Sequence, residues 1–208
     1  QIADVAGGSL HAVIGILAAV VERQRSGLGQ YIDISMTDCV ASLNSMAASA
    51  SLAGQTPQAP EQGMLNGASF YDYYETKDGR YFSVGSLEPQ FMAGLAAALE
   101  LPLLLAKGTS FDPEDRQTVK QALQEKFKSQ DFVVWQQLFK TLDICVEPVL
   151  SLDEALVSPI AEQRGWVVDV PLSENSEQTE AQLACPIKFS RSQIKYAFIG
   201  QGLGEGKW

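Results

Sequence analysis

The chain has 208 residues, of which 46% are hydrophobic and 19% charged, with a formal net charge of −10. These proportions exclude a disordered chain and provide for one or two packed cores. The acidic balance, with no basic stripe, argues against nucleic acid as a partner.

The first predicted element is a helix from about Val5 to Arg25, stopped by Gly27 and Gly29. Its apolar run, Val5 to Val21, contains glycines, a serine and His11 and meets Glu22-Arg23 at once. It therefore reads as a buried core helix, short for a bilayer span and without the pattern of a signal peptide. Gln30-Tyr31-Ile32-Asp33-Ile34-Ser35-Met36 alternates apolar and polar and predicts a short strand with one buried face. A second helix, Thr37 to Leu52, is rich in Ala and Ser, and Gly54 to Gly67, with Pro57 and Pro60, reads as a linker.

Lys77-Asp78-Gly79 between Phe70–Glu75 and Arg80–Gly85 predicts a hairpin of two aromatic-rich strands. Helices follow at Pro89 to Leu99, Pro113 to Phe127 and Asp131 to Leu142, the last with Ser129 as a cap. Cys145 to Val149 reads as a strand closed by Pro148. Ser151 and Glu154 stand at capping-box spacing at the start of a short helix. Trp166 to Val170 and Pro186 to Phe189 read as strands, and Ser173 to Gln182 as an acidic surface turn. The result is helix–strand–helix, a linker, then a mixed α+β unit. The first part cannot cover its own apolar helix and calls for a neighbouring domain or chain.

Cys39, Cys145 and Cys185 stand far apart with no CxxC or Cys/His cluster, so neither a disulfide framework nor a metal site is expected, and a cytoplasmic setting is. The chain opens on Gln1-Ile2-Ala3, without a methionine, and reads as a piece of a longer protein.

The residues with chemical promise begin at Asp4. It precedes Gly7-Gly8 and the apolar run, where free backbone N–H groups and the positive end of a helix gather. Taken alone, an Asp in that place is most often a cap. His11, the sole histidine, has Leu10, Ala12 and Val13 for neighbours and reads as a core or helix-surface residue. Glu88 precedes a proline-initiated helix, where a first-turn acid is common. Arg23 and Arg25 read as a solvated helix end. Ser26-Gly27-Leu28-Gly29 lacks the spacing and the strand-before-helix context of a dinucleotide site.

Three stretches are more specific. Ala3-Asp4-x-Ala6-Gly7-Gly8 is followed by Glu22-Arg23-x-x-Ser26-Gly27-x-Gly29-Gln30-x-Ile32-Asp33-x-Ser35-Met36-x-Asp38. Tyr71-Asp72-x-Tyr74-Glu75-x-x-Asp78-Gly79-Arg80-Tyr81 leads into Val84-Gly85-x-x-Glu88-Pro89-Gln90-Phe91. Glu147-Pro148-Val149-x-Ser151-Leu152-Asp153-Glu154-Ala155 comes third. Together they resemble the CaiB/BaiF family, the family III coenzyme A transferases, and within it the α-methylacyl-CoA racemase branch.

The resemblance implies an α/β plus α+β protein that forms an intertwined homodimer. Residues 1–55 would be the C-terminal part of a large Rossmann-like, CoA-binding domain, 56–68 a linker, 69–190 a small α+β domain and 191–208 a returning linker. The site would lie between the large domain of one chain and the small domain of the other, with acyl-CoA as substrate, no cofactor and no membrane. The family's catalytic Asp falls on Asp4. Glu88 would support a histidine from a segment preceding this chain, and Tyr71 would lie near the acyl-CoA.

The chemistry agrees. Racemising a carbon beside a thioester needs a base on one face and an acid on the other, which a carboxylate and an imidazolium supply. The helix start offers N–H groups to the enolate oxygen, and Gly7 and Gly8 would let the thioester approach. Two alternatives stand. In a CoA transferase, Asp4 would be a nucleophile that passes through an aspartyl-CoA thioester; the glycine-poor stretch Gly63-Met64-Leu65-Asn66-Gly67-Ala68 argues for the racemase. In a non-catalytic dimerisation module, Asp4 would only cap and Glu88 only start a helix.

Overall fold

The computed structural model describes residues 1–56, 59, 62–65 and 67–200. The prolines of the expected linker, Pro57 and Pro60, and the residues from 201 on lie outside the described residues. The chain divides into two compact units, Gln1–Ala68 and Ser69–Trp208. It is a mixed α/β protein with two small sheets.

The first unit opens on a π-helical segment, Ile2–Ser9, whose register is set by the bond from the Leu10 N–H to the Val5 carbonyl. It runs into α1 (Leu10–Ser26), which ends where Gly27 takes φ 77° and donates its N–H to the Arg23 carbonyl at 2.9 Å. Only glycine enters that left-handed region without strain. Arg23 and Arg25 in the last turn face the negative pole of the helix.

The strand expected at Gln30–Met36 does not form. Its alternation is nevertheless used: Ile32 and Ile34 both reach Gly15 of α1, where an added Cβ would meet Ile32 Cγ2 at 3.2 Å and Ile34 Cδ1 at 3.4 Å. The segment has the one-sided burial of a strand but finds no neighbouring strand among the described residues, and a ladder requires one. The single helix expected at Thr37 to Leu52 is two, α2 (Met36–Leu43) and α3 (Ser45–Leu52), parted at Asn44 with φ −88° and ψ 31°. Ser35 caps α2 by accepting the Asp38 N–H at 3.3 Å.

Gly7 is the one buried residue among the described residues of this unit. Val13, Ile14, Ile16, Leu17, Val20 and Val21 along α1 are all exposed. The continuous helix Ile2–Ser26 is also longer than its apolar run suggests: it has 25 residues and contains an 18-residue stretch with a mean hydropathy of 1.8, the length and composition to cross a bilayer.

The second unit holds the core. β1 (Asp72–Glu75) and β2 (Tyr81–Val84) form the expected hairpin, with Tyr74 opposite Phe82 and Gly79 at φ 81° in the turn. β3 (Val146–Pro148) pairs antiparallel with β2. Onto this sheet pack α4 (Pro89–Leu99), α5 (Leu103–Lys107), α6 (Pro113–Lys128) and α7 (Phe132–Phe139). α7 starts after Asp131; the expected cap Ser129 instead closes α6, donating its hydroxyl to the Lys126 carbonyl.

Alternation sorts the hairpin aromatics: Tyr74 and Phe82 are fully buried, Tyr73 and Tyr81 exposed. The Phe82 ring lies 4.9 Å from Phe132 and 5.5 Å from Phe139, and Tyr74 stacks on Phe127 at 5.3 Å. Tyr74 spends its hydroxyl on the Phe70 carbonyl at 2.8 Å, and burial pushes its phenol well above the usual range.

α8 (Leu152–Leu156) begins with the full capping box of Ser151 and Glu154, and α9 (Pro159–Arg164) follows. β4 (Val167–Pro171) pairs with β5 (Thr179–Leu183), so the last four residues of the expected acidic turn belong to a strand, while Pro186 to Phe189 is not one. Acidic side chains at Glu180 mask a strand that needs no buried face on that side.

Candidate functional site

The sequence-predicted residues fall into two groups, one in each unit. In the first, Asp4, Gly7 and Gly8 share the π-helical segment. The cap expected of Asp4 is not made: the helix begins at Ile2, Gln1 holds the N-cap position without a side-chain bond, and Asp4 lies in the first turn. Its carboxylate is exposed and makes no hydrogen bond or ion pair among the described residues, and only its backbone carbonyl is engaged, by the Ser9 hydroxyl at 3.1 Å. The earliest N–H that finds an acceptor is Val5, to the Gln1 carbonyl at 2.9 Å, so the N–H groups up to Asp4 precede the first helical bond. A carboxylate and free donors thus occupy the positive end of one helix.

Gly7 and Gly8 lie against α2. A Cβ at Gly7 would come within 3.2 Å of Val40 Cγ2, and one at Gly8 within 3.2 Å of Met36 Cγ. The space above both glycines is taken by α2, and their smallness serves helix packing. His11 is likewise committed: its Nδ1 donates to the Ala6 carbonyl at 2.8 Å, the span of five residues that the π register brings within reach.

In the second unit, Tyr71 and Glu88 flank the end of β2. The Tyr71 N–H donates to Ser69 Oγ at 3.0 Å, and its ring lies against Gly85, where an added Cβ would be 3.1 Å from Tyr71 Cε2. Gly85 is pinned by its own N–H to the Cys145 carbonyl at 2.7 Å, while the fully buried Ser86 accepts the Cys145 N–H at 3.1 Å. Glu88 is the N-cap residue of α4, extended at φ −67° and ψ 142°, yet its carboxylate caps nothing. Its charge reaches Cys145: partial desolvation pushes that thiol up, and Glu88, Asp143 and Glu147 push it further.

Gly85 stands in the second motif stretch without an assigned role, although a glycine closing an aromatic-rich strand signals close approach; Cys145 lies outside the motifs and carried no signal. No group of three or more His, Cys, Asp or Glu that could hold a metal occurs among the described residues. The chemistry on offer is therefore that of two uncommitted carboxylates, each at a helix start, one of them three residues after the glycine on which the Tyr71 ring rests.

Comparison with known proteins gives this arrangement a context. The family model described as CoA-transferase family III matches residues 1–200. The chain is 40% identical over 159 residues to alpha-methylacyl-CoA racemase of Mus musculus, which covers 74% of this chain and 41% of that protein. Against the Homo sapiens alpha-methylacyl-CoA racemase it is 36% identical over 168 residues, 79% of this chain and 43% of that protein. The chain thus spans about two-fifths of the length of these curated relatives. Among solved structures, a CaiB/BaiF family protein from Brucella suis superposes with a TM-score of 0.69 at 22% identity, covering 94% of this chain and 50% of that one.

Proposed function

The chain belongs to CoA-transferase family III, and on that premise we propose that the protein racemises the α-carbon of 2-methylacyl-CoA thioesters by two-base proton transfer. The observation that carries this reading is the Asp4 carboxylate, exposed and without a hydrogen-bond partner among the described residues, at a helix start whose first N–H groups precede the helical ladder. The 40% identity to an alpha-methylacyl-CoA racemase supports the choice of substrate class.

In this reading the ionised Asp4 takes the proton from the α-carbon. The carbon–hydrogen electron pair moves into the enolate, whose oxygen is stabilised by backbone N–H donors. The second proton comes from an imidazolium outside this chain, since His11 already gives its Nδ1 to Ala6. Glu88 orients and charges that imidazole, and Tyr71 borders the acyl-CoA. Residues 1–55 serve as part of a Rossmann-like CoA-binding domain and 69–190 as the small domain of an intertwined homodimer. The exposed apolar face of α1 is then covered within the large domain, not by lipid. The protein works in the cytoplasm with acyl-CoA as substrate and no cofactor.

The test is exchange of the substrate α-hydrogen in deuterated water with the thioester intact, measured on the whole natural protein. A second reading draws on the same free carboxylate and on the family's description: Asp4 attacks the thioester carbonyl, expels the CoA thiolate and forms a mixed anhydride, and the thiolate then attacks the aspartyl carbonyl, releasing the acyl group as its carboxylate and leaving an aspartyl-CoA thioester. Hydroxylamine trapping of Asp4 in the presence of acyl-CoA, without α-hydrogen exchange, identifies that chemistry. Gly63 and Gly67 of the stretch that would lie over such a carboxylate pair in an isolated bridge, and its Asn66 lies outside the described residues.

A further inference from the structure

The second unit contains an open, solvent-facing cavity of about 490 Å³ lined by Arg164, Trp166, Leu183, Cys185, Pro186 and Lys188, with Trp166 39% and Leu183 72% exposed. None of these residues has a role in the chemistry above. The volume falls within the range of small-molecule sites, which combine an apolar wall with a few convergent polar groups. Trp166, Leu183 and Pro186 supply the wall, and Arg164 and Lys188 supply two positive charges.

Five cations, Arg80, Lys107, Lys120, Lys126 and Lys128, are engaged by carboxylates. Arg164 and Lys188 form no ion pair among the described residues. Nor is Arg164 consumed at the end of α9: the carbonyls of Ala161 and Glu162 already accept the N–H groups of Trp166 at 3.0 Å and Gly165 at 3.1 Å. Gly165 sits at φ 58°, and a Cβ there would lie 4.0 Å from Lys188 Nζ, so the ammonium stands beside this turn.

The walls are built before any ligand arrives. The Trp166 carbonyl accepts the Ala184 N–H at 2.8 Å, continuing the β4–β5 pairing, and the Cys185 N–H donates to Tyr196 Oη at 2.9 Å. A planar apolar body against Trp166 and its neighbours, carrying an anionic group for Arg164 and Lys188, satisfies every feature of this cavity.

We propose that this cavity binds a small planar anion, a ring bearing a carboxylate or phosphate, with Arg164 and Lys188 holding the charge and Trp166 the ring. Cys185 lines the cavity and reports on it, while the exposed Cys145 provides an internal control. The whole natural protein is treated with N-ethylmaleimide, and alkylation of each cysteine is followed by peptide mass spectrometry. Indole-3-acetate and adenosine 5′-monophosphate are the two probes; indole and inorganic phosphate each lack half of the chemistry. One or both planar anions should slow Cys185 alkylation about tenfold at ten times the dissociation constant, leave Cys145 unchanged, and lose this effect in R164A/K188A. Which probe acts distinguishes an aryl carboxylate from a nucleotide. The proposal is overturned if neither probe protects Cys185, if indole or phosphate protects equally, or if protection survives the double substitution. Failure of Cys185 to react before any probe is added would also overturn it, because another part of the protein would then fill the cavity.

Discussion

The ring of Tyr71 rests on the backbone of Gly85, so closely that a Cβ at residue 85 would stand 3.1 Å from Tyr71 Cε2. Two hydrogen bonds fix this glycine and its neighbour Ser86 to Cys145, giving the tyrosine a rigid seat. Gly85→Ala must therefore move the ring. If Tyr71 borders the acyl-CoA, G85A and Y71A should each lower kcat/KM on the order of tenfold, and the double variant little further. Additive losses in this cycle would show that the seat and the ring act independently.

Glu88 leaves its carboxylate uncommitted at the start of α4, and its charge is one of those that push the Cys145 thiol up, after desolvation. Neutralising it in E88Q lowers the thiol's pKa, which raises the thiolate fraction near neutral pH. Alkylation of Cys145 by iodoacetamide should become faster in E88Q than in the parent protein. An unchanged rate would place the carboxylate elsewhere.

Phe82 is the hub of the aromatic core, fully buried among Phe127, Phe132 and Phe139. Phe82→Ala should cost about 3–5 kcal/mol in urea denaturation. Tyr73→Ala, one strand over and 65% exposed, should cost less than about 0.5 kcal/mol.

What could be read before folding follows from which signals are local. The hairpin around Lys77-Asp78-Gly79, α4 from Pro89 to Leu99 and the Ser151–Glu154 capping box each depend on residues a few positions apart, and each is present. The losses arise where the outcome depends on distant partners. Ile32 and Ile34 alternate like a strand, but no neighbouring strand is among the described residues, so they pack on Gly15 without a ladder. β5 hides in an acidic stretch because its stability comes from pairing with β4. For the site, the resemblance pointed to Asp4, Glu88, Gly7 and Gly8, but no local signal shows that α2 packs over the two glycines, since Met36 and Val40 lie about thirty residues downstream.

Glu154 offers a prediction with pH. The Ser151 N–H holds its carboxyl below the usual range, with Arg80 adding to the effect, its guanidinium 2.8 Å away. A depressed carboxylate pKa means that the folded form is favoured once the group is ionised in the unfolded chain, above about pH 4.3, and that this benefit fades as pH falls through the folded value. E154A should therefore show a lower Tm than the parent at pH 7, and the gap should narrow progressively below about pH 4. A gap independent of pH would point to lost helix contacts alone.

The central claim concerns one side chain. In the whole natural protein, the Asp4→Asn variant should lose α-hydrogen exchange of 2-methylacyl-CoA in deuterated water by about 10²–10⁴-fold, while its Tm stays within a degree or so of the parent's, because the exposed carboxylate holds nothing together. Retained exchange accompanied by a large fall in Tm would contradict the account and reduce Asp4 to a structural acid.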